Sequence, residues 1–223
     1  MIKLKNITKT YEINKNNIVT ALNDISLSIN EGELVVLKGA SGSGKSTILS
    51  LIAGLSKPTH GEVIIDEKRI SKLPDDFLAL YRWENIGFIF QKYNLIPTLT
   101  VQDNILVPLI PNNPDEKLIK KQLDDVMDKF NISHKKDIVV KSLSGGEQQR
   151  VAISRSMINN PKIIIADEPT ANLDEKLSLN FIDILKQLKQ THKTIIVATH
   201  DPLFFDLDFV DKIIEVKNGK IIS

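Results

Sequence analysis

Cysteine is absent from the 223 residues, which excludes disulfides and thiolate metal ligands and fits a reducing compartment. An excess of one charge is absent as well, since 29 Lys and Arg face 28 Asp and Glu. No bulk field therefore draws nucleic acid or an acidic membrane surface, and no nucleic-acid partner is expected. Long apolar runs are missing too. The longest, such as Ile163 to Ala166, are strand-length, far below the ~20 residues of a membrane-crossing helix. Met1 to Asn6 offer no apolar stretch of the kind a signal peptide needs. Any membrane role is thus expected to come through a partner chain.

What is there is ordinary for a globular protein: 42% hydrophobic and 26% charged residues, in a chain long enough to bury a substantial core. Ile25, Leu27 and Ile29 alternate with Ser26, Ser28 and Asn30, the pattern of a half-buried antiparallel strand. Leu34 to Leu37 is apolar without a break and reads as a strand buried on both faces, as in a parallel sheet. A helix from Ser46 to Ala53 should stop at Gly54, and strands are expected at Glu62 to Asp66 and Ile86 to Phe90. From Val101 to about Phe130 the pattern is helical, interrupted at Pro111-Asn112-Asn113-Pro114. Its second half puts Ile119, Leu123, Val126, Met127 and Phe130 on one core-facing stripe.

Further along, a helix from Ser144 to Asn159, a strand from Ile163 to Asp167, a helix from Glu175 to Gln190 and a strand from Lys193 to Thr199 are predicted. Val210 to Val216 and Ile221-Ile222 read as a hairpin around Asn218-Gly219, a strong two-residue turn signal. The alternation predicts an α/β fold: a mostly parallel sheet with helices on both faces and a subdomain of short antiparallel strands near the N-terminus. Within this single domain, a helical subdomain of about residues 92–160 is expected to interrupt a core of residues 1–91 and 161–223.

Three motifs carry chemistry. Gly39-Ala40-Ser41-Gly42-Ser43-Gly44-Lys45-Ser46 matches G-x-x-x-x-G-K-S in full, between a buried strand and a helix, the context that motif requires. Backbone N–H groups of such a loop, with Thr47 beyond it, cradle nucleotide phosphates at a helix N-terminus. Lys45 adds a mobile positive charge and the Ser46 hydroxyl a Mg²⁺ ligand. Asp167-Glu168 stands at the C-terminal end of a buried strand, where open α/β sheets bind ligands. Asp167 suits a metal's surroundings and Glu168 a general base for water, although an acidic strand end before Pro169 also occurs for structural reasons. Ser144-Gly145-Gly146-Glu147, within Leu143-Ser144-Gly145-Gly146-Glu147-Gln148-Gln149-Arg150, has two readings. It is a capping box, and its paired glycines, each costing about 1 kcal/mol in a helix relative to alanine, suggest something approaching that backbone closely.

With the phosphate loop and this signature together, the chain resembles, over its whole length, the nucleotide-binding subunit of ATP-binding cassette (ABC) transporters. The resemblance implies ATP and Mg²⁺ and a P-loop NTPase core. It implies that Gln91 touches Mg²⁺ and the attacking water, that His200 contacts the γ-phosphate, and that Tyr11 stacks on adenine; an exposed strand-end tyrosine is the alternative. Ala171-Asn172-Leu173-Asp174 resembles the loop that spans the dimer interface. The implied assembly is an ATP-bound head-to-tail homodimer in which Ser144, Gly145, Gly146 and Glu147 act on the partner's ATP.

More narrowly, residues Ile86 to Pro97 and Glu168 to Asp174 are similar to the lipoprotein-releasing and macrolide-exporter ATPase subfamily. That implies integral membrane permease subunits as partners and a peripheral location on the cytoplasmic face of the inner membrane. A cargo-free cassette relaying force to cell-envelope enzymes is the alternative. Two features depart from the subfamily: the segment from Pro111 to Lys141 is shorter, and Val140 stands where a proline often precedes the signature. Both lie where permease contacts are expected.

Overall fold

The computed structural model describes residues 2–14, 17–112, 116–171 and 173–222. Asn113, Pro114 and Asn172 of the motifs above lie outside them. In chain order the strands and α-helices begin with β1 (Ile2–Asn14), β2 (Asn17–Ile29), β3 (Leu34–Lys38), α1 (Lys45–Ile52), β4 (His60–Ile65), β5 (Lys68–Arg69), α2 (Asp75–Asn85) and β6 (Ile86–Ile89). They continue with α3 (Val101–Leu106), α4 (Glu116–Lys129), α5 (Gly145–Met157), β7 (Ile163–Asp167), α6 (Glu175–Lys189), β8 (Thr194–Thr199), β9 (Lys212–Lys217) and β10 (Lys220–Ile221).

The main sheet runs β10-β9-β3-β8-β7-β6, and β9, β3, β8, β7 and β6 are parallel. Side chains alternate faces along a strand, so each central strand feeds two cores. Leu34, Val36, Ile164, Ala166, Ile195 and Val197 join a cluster with α3, α4, α5 and α6. Val35, Leu37, Ile163, Ile165, Ile196 and Ala198 join a second cluster with α1, α2 and the antiparallel sheet β2-β1-β4-β5. Helices therefore cover both faces, as the unbroken apolar runs predicted. Leu123, Val126, Met127 and Phe130 of the α4 stripe are buried, with Ile119 packed beside them.

The structure corrects one expectation and adds two features that the sequence did not show. The N-terminal antiparallel strands are not short: β1 and β2 each run for 13 residues. In β1 the alternation of Ile2 and Leu4 breaks at Asn6, where φ is 49° and the register shifts before Ile7. A bulge of this kind hides a strand from a period-two pattern. Helix α2 had no counterpart in the sequence reading. Leu78 and Tyr81, three residues apart, pack on the core while Phe77 and Leu80 are 59% and 46% exposed, so the buried stripe is short and flanked by exposed apolar side chains. Its legible signal was Pro74 followed by Asp75 and Asp76 in the first turn. Finally, the terminal hairpin is part of the main sheet, because β9 pairs in parallel with β3.

The turn of that hairpin, Asn218 (φ 50°) and Gly219 (φ 71°), has the two left-handed residues of a type I′ turn. It does more than reverse the chain. Gly219 N donates to Ser43 O at 2.9 Å and Gly219 O accepts from Asn23 N at 2.8 Å, so the turn braces the glycine-rich loop against β2. A Cβ on Gly219 would lie 2.7 Å from the Ala21 carbonyl oxygen. Gly219→Ala should therefore cost about 1–2 kcal/mol from backbone conformation alone and more from the clash. Thermal unfolding should show a lower midpoint and titration with ATP a weaker affinity; an unchanged affinity would mean the turn does not support the loop.

Candidate active site

The chain leaves β3 at Lys38 and turns through residues 39–44 before α1 begins at Lys45. Gly44 makes the turn possible: its φ of 111° suits glycine, and a Cβ there would press on the Ala21 carbonyl at 2.8 Å. No side chain caps α1, which leaves its first-turn N–H groups available to an anion. Lys45 is buried, with 4% exposure. Its Nζ donates to the carbonyls of Gly39 (2.7 Å) and Ala40 (3.2 Å) and pairs with Glu168 Oε1 at 3.1 Å. The Ser43 hydroxyl is buried beside the same cleft without a hydrogen-bond partner among the described residues.

The opposite wall comes from the ends of β7 and β8. Ser46 Oγ donates to Asp167 Oδ1 at 3.0 Å. Burial pushes the Asp167 carboxyl above its usual range; the Ser46 hydrogen bond pulls it back, Glu168 adds to the rise and Lys45 opposes it. Glu168 has a left-handed backbone, φ 45°, fixed by its N–H donating to Ala198 O at 2.8 Å. Its Oε2 accepts from the His200 amide at 3.3 Å and lies 2.9 Å from His200 Nδ1. One carboxylate thus joins Lys45 on the loop after β3 to His200 at the end of β8.

These groups frame a cleft of 380 Å³, lined by residues 41–47, Gln91, Glu168 and His200, with Val19, Thr20 and Ala21 of β2 along one edge. Tyr11 pairs across the strands with Val19, is 41% exposed, and has Lys9 Nζ 4.8 Å from its ring centroid. It stands beside the cleft rather than in its lining. The protein oxygens of Ser46 and Asp167 suit Mg²⁺, which prefers oxygen ligands and keeps waters and substrate phosphates among them. Among the described residues no cluster of three or more His, Cys, Asp or Glu could hold a metal alone.

The signature is not in this cleft. Ser144 caps α5: its Oγ accepts from Glu147 N, while Glu147 Oε2 accepts from Ser144 N and from the Ser144 hydroxyl, each at 2.9 Å. These bonds, helped by Lys135 at 3.3 Å, hold the Glu147 carboxyl below its usual range against the opposing effect of burial. The two glycines have different surroundings. A Cβ on Gly146 would lie 2.6 Å from the Leu177 side chain on α6, so packing within this chain accounts for that glycine. A Cβ on Gly145 would meet nothing within 4 Å. Asp174 also lies away from the cleft, capping α6 by accepting from Leu177 N at 2.8 Å.

Two polar residues of α5 escaped the sequence reading. Gln149 is 4% exposed and donates through Nε2 to Pro169 O at 3.1 Å, tying the signature helix to the loop after Glu168. Arg155 donates to the carbonyls of Tyr93 and Asn94, just past Gln91. The available signal was a polar side chain at a helix position flanked by core residues, and Gln149 beside Val151 and Ala152 is such a case.

Comparison with known proteins agrees with this geometry. The ABC transporter family model matches residues 22–171. The ABC transporter ATP-binding protein MJ0796 of Methanocaldococcus jannaschii is 44% identical over 99% of this chain and 95% of its own length. The lipoprotein-releasing system ATP-binding protein LolD of Wigglesworthia glossinidia brevipalpis is 42% identical over 99% and 96%. The macrolide export ATP-binding/permease protein MacB 1 of Yersinia pestis bv. Antiqua is 38% identical over all of this chain, which spans 34% of that longer protein. The dimeric post-hydrolysis structure of MJ0796 bound to ADP and Pi covers all of this chain and 97% of its own, with a TM-score of 0.90 at 42% identity. Fold, phosphate cleft and full-length kinship converge, and the chain belongs to the ABC transporter family as an ATP-binding, ATP-hydrolysing subunit.

Proposed function

We propose that this chain closes head-to-tail with a second copy around two ATP molecules and so drives a separate membrane permease of the lipoprotein-release or macrolide-export type. The observation that carries the dimer is Gly145: it opens a capped helix, faces open space, and has no contact among the described residues that calls for glycine. A neighbour's γ-phosphate approaching that backbone supplies the reason. Support for the permease class comes from LolD and MacB, which match along the whole chain. No helix among the described residues is long and apolar enough to cross a membrane, so the permease would hold this subunit at the cytoplasmic face. Residues 92–160 would act as a helical subdomain moving against a core of residues 1–91 and 161–223.

In this reading the amides of residues 39–47 and Lys45 bind the phosphates, Tyr11 covers the base, and Asp174 and its loop lie at the dimer interface. Ser46, Asp167 and Gln91 would hold Mg²⁺, which would neutralise phosphate charge. The triphosphate competes with Glu168 for the Lys45 ammonium, and release of Oε1 leaves Glu168 able to take the proton of the attacking water. His200, already on Oε2, keeps that carboxylate turned toward the cleft and reaches the γ-phosphate. The water oxygen bonds to phosphorus as the bond to the ADP oxygen breaks.

Two measurements test this. Glu168→Gln should cut ATP turnover by about 10²–10⁴-fold and accumulate an ATP-dependent dimer on size exclusion; near-normal turnover would remove Glu168 from the role. Gly145→Ala should leave the thermal midpoint unchanged or raised, since alanine is the better helix former by up to about 1 kcal/mol, yet abolish ATP-driven dimerisation. Gly146→Ala should instead lower the midpoint, because its Cβ meets Leu177. The reverse pattern would refute the composite site.

The capping box gives a separate prediction, about the stability of α5. Ser144→Ala should cost about 1 kcal/mol at neutral pH. The folded pKa of Glu147 lies below its ordinary value, so its stabilisation is complete above that ordinary value and fades as pH falls through the folded one. The stability gap between wild type and Ser144→Ala should therefore narrow on acidification, read by denaturant unfolding across pH 3–7.

A further inference from the structure

Arg155 lies on the same helix as the signature, further toward its C-terminus, and is mostly removed from water. Its Nη1 donates to Asn94 O at 2.6 Å and its Nη2 to Tyr93 O at 2.5 Å. No carboxylate among the described residues pairs with it, and burial alone lowers its pKa from the usual arginine value. A guanidinium without a counter-charge depends on the dipoles that receive it. Those dipoles are set by an unusual turn: Tyr93 and Asn94 both have left-handed backbones, φ 59° and 49°. Tyr93 N donates to Phe90 O at 2.9 Å and Asn94 N to Lys92 O at 2.6 Å, so the turn closes immediately around Gln91 and Lys92. The Tyr93 side chain is itself buried.

Gln91 therefore sits between two anchors. Before it, β6 is laddered to β7, with Ile89 opposite Ala166. After it, two consecutive carbonyls are gripped by α5. We propose that Arg155 is a positioning residue: its fork ties the turn after Gln91 to the signature helix, so that the placement of Gln91 in the phosphate cleft follows the position of α5. This rests on the reading of Gln91 as the residue at the metal and the attacking water. The fork matters, because two diverging N–H donors hold two successive carbonyls while a lysine ammonium is a single point charge on a flexible stem. A partner's ATP that draws on Gly145 at one end of α5 would thereby shift Gln91 in this chain's own cleft.

The test is a double-mutant cycle on the full-length protein with a structural readout beside it. Arg155→Lys should lower kcat for ATP about tenfold or more, the scale of a small misplacement in an active site, with KM for ATP changed less than about twofold. In a Gln91→Ala background the same substitution should change kcat by less than about twofold, because the residue it positions is gone. An equal loss in both backgrounds, or no loss in the wild type, overturns the proposal. If Gln91→Ala alone leaves turnover intact, the reading of Gln91 fails, and amide exchange then decides the tie by itself. In the wild type the Tyr93 and Asn94 amides should exchange as slowly as those of α5, and Arg155→Lys should speed these two selectively over β6 and α6. Wild-type exchange at the rate of an open loop overturns the tie, including where the variant does not fold.

Discussion

Two-sided burial of β3, β8 and β7 is the constraint on which the rest depends. Every side chain from Leu34 to Leu37, from Ile163 to Ala166 and from Ile195 to Ala198 enters one of two apolar cores. A polar side chain inside these stretches would need a partner within the core, and the buried polar residues of β8, Thr194 and Thr199, stand at its two ends, each accepting a backbone amide. Polar chemistry is pushed to where the strands end, and parallel register makes those ends neighbours: Lys38 lies opposite Thr199, and Asp167 opposite Ala198. The phosphate loop, Asp167-Glu168 and His200 follow directly from three adjacent strand ends. A one-residue slip of β7 would exchange its two buried faces and carry Glu168 away from Lys45.

At that shared edge the electrostatics are closely balanced. Lys45 is nearly inaccessible, yet its ammonium has three acceptors, two carbonyls and Glu168. Removing one partner of a buried pair typically costs about 3–5 kcal/mol, so Glu168 leaves Lys45 readily only when another anion takes its place. A phosphate in the cradle meets that condition, which links occupancy of the loop to release of the carboxylate. The left-handed backbone of Glu168 belongs to the same arrangement. Strain of about 1–3 kcal/mol at such a residue persists because the Ala198 carbonyl holds its amide and His200 holds its side chain.

Much of this was legible in the sequence because it is local. The phosphate loop, the acidic pair after Ile163 to Ala166, the Asn218-Gly219 turn and the Ser144 cap all rest on residues close together in the chain. The fold class followed from unbroken apolar runs alternating with helical periods. What stayed hidden depends on distant partners. Leu177 explains Gly146, and no spacing around residue 146 announces it. The bulge at Asn6 breaks the alternation that would have marked β1, and in α2 the outward-facing Phe77 and Leu80 mask the short stripe of Leu78 and Tyr81. Gln149 and Arg155 looked like ordinary polar helix residues, since their acceptors are backbone carbonyls and carbonyls leave no trace in composition.

Those two residues bear on how α5 is connected to the phosphate cleft. Helix α5 begins outside its own cleft, with Gly145 open to space, yet it is bound to both loops that enter the cleft from the helical side of the sheet. Gln149 holds the carbonyl of Pro169, one residue past Glu168, and Arg155 holds Tyr93 and Asn94, shortly past Gln91. Arg150, between them, donates to Phe130 O at 3.1 Å at the end of the α4 segment. A sharp kink in a helix needs a Pro, a π-bulge or a group inserted into its hydrogen-bond ladder, and α5 has no proline between Gly145 and Met157. Static hydrogen bonds therefore tie α5 at once to the carboxylate loop, to the loop after Gln91 and to the helical layer. The capping box contributes to the same end: by satisfying the amides of Ser144 and Glu147, it keeps that N-terminus formed, with Gly145 exposed, whether or not a neighbour is present.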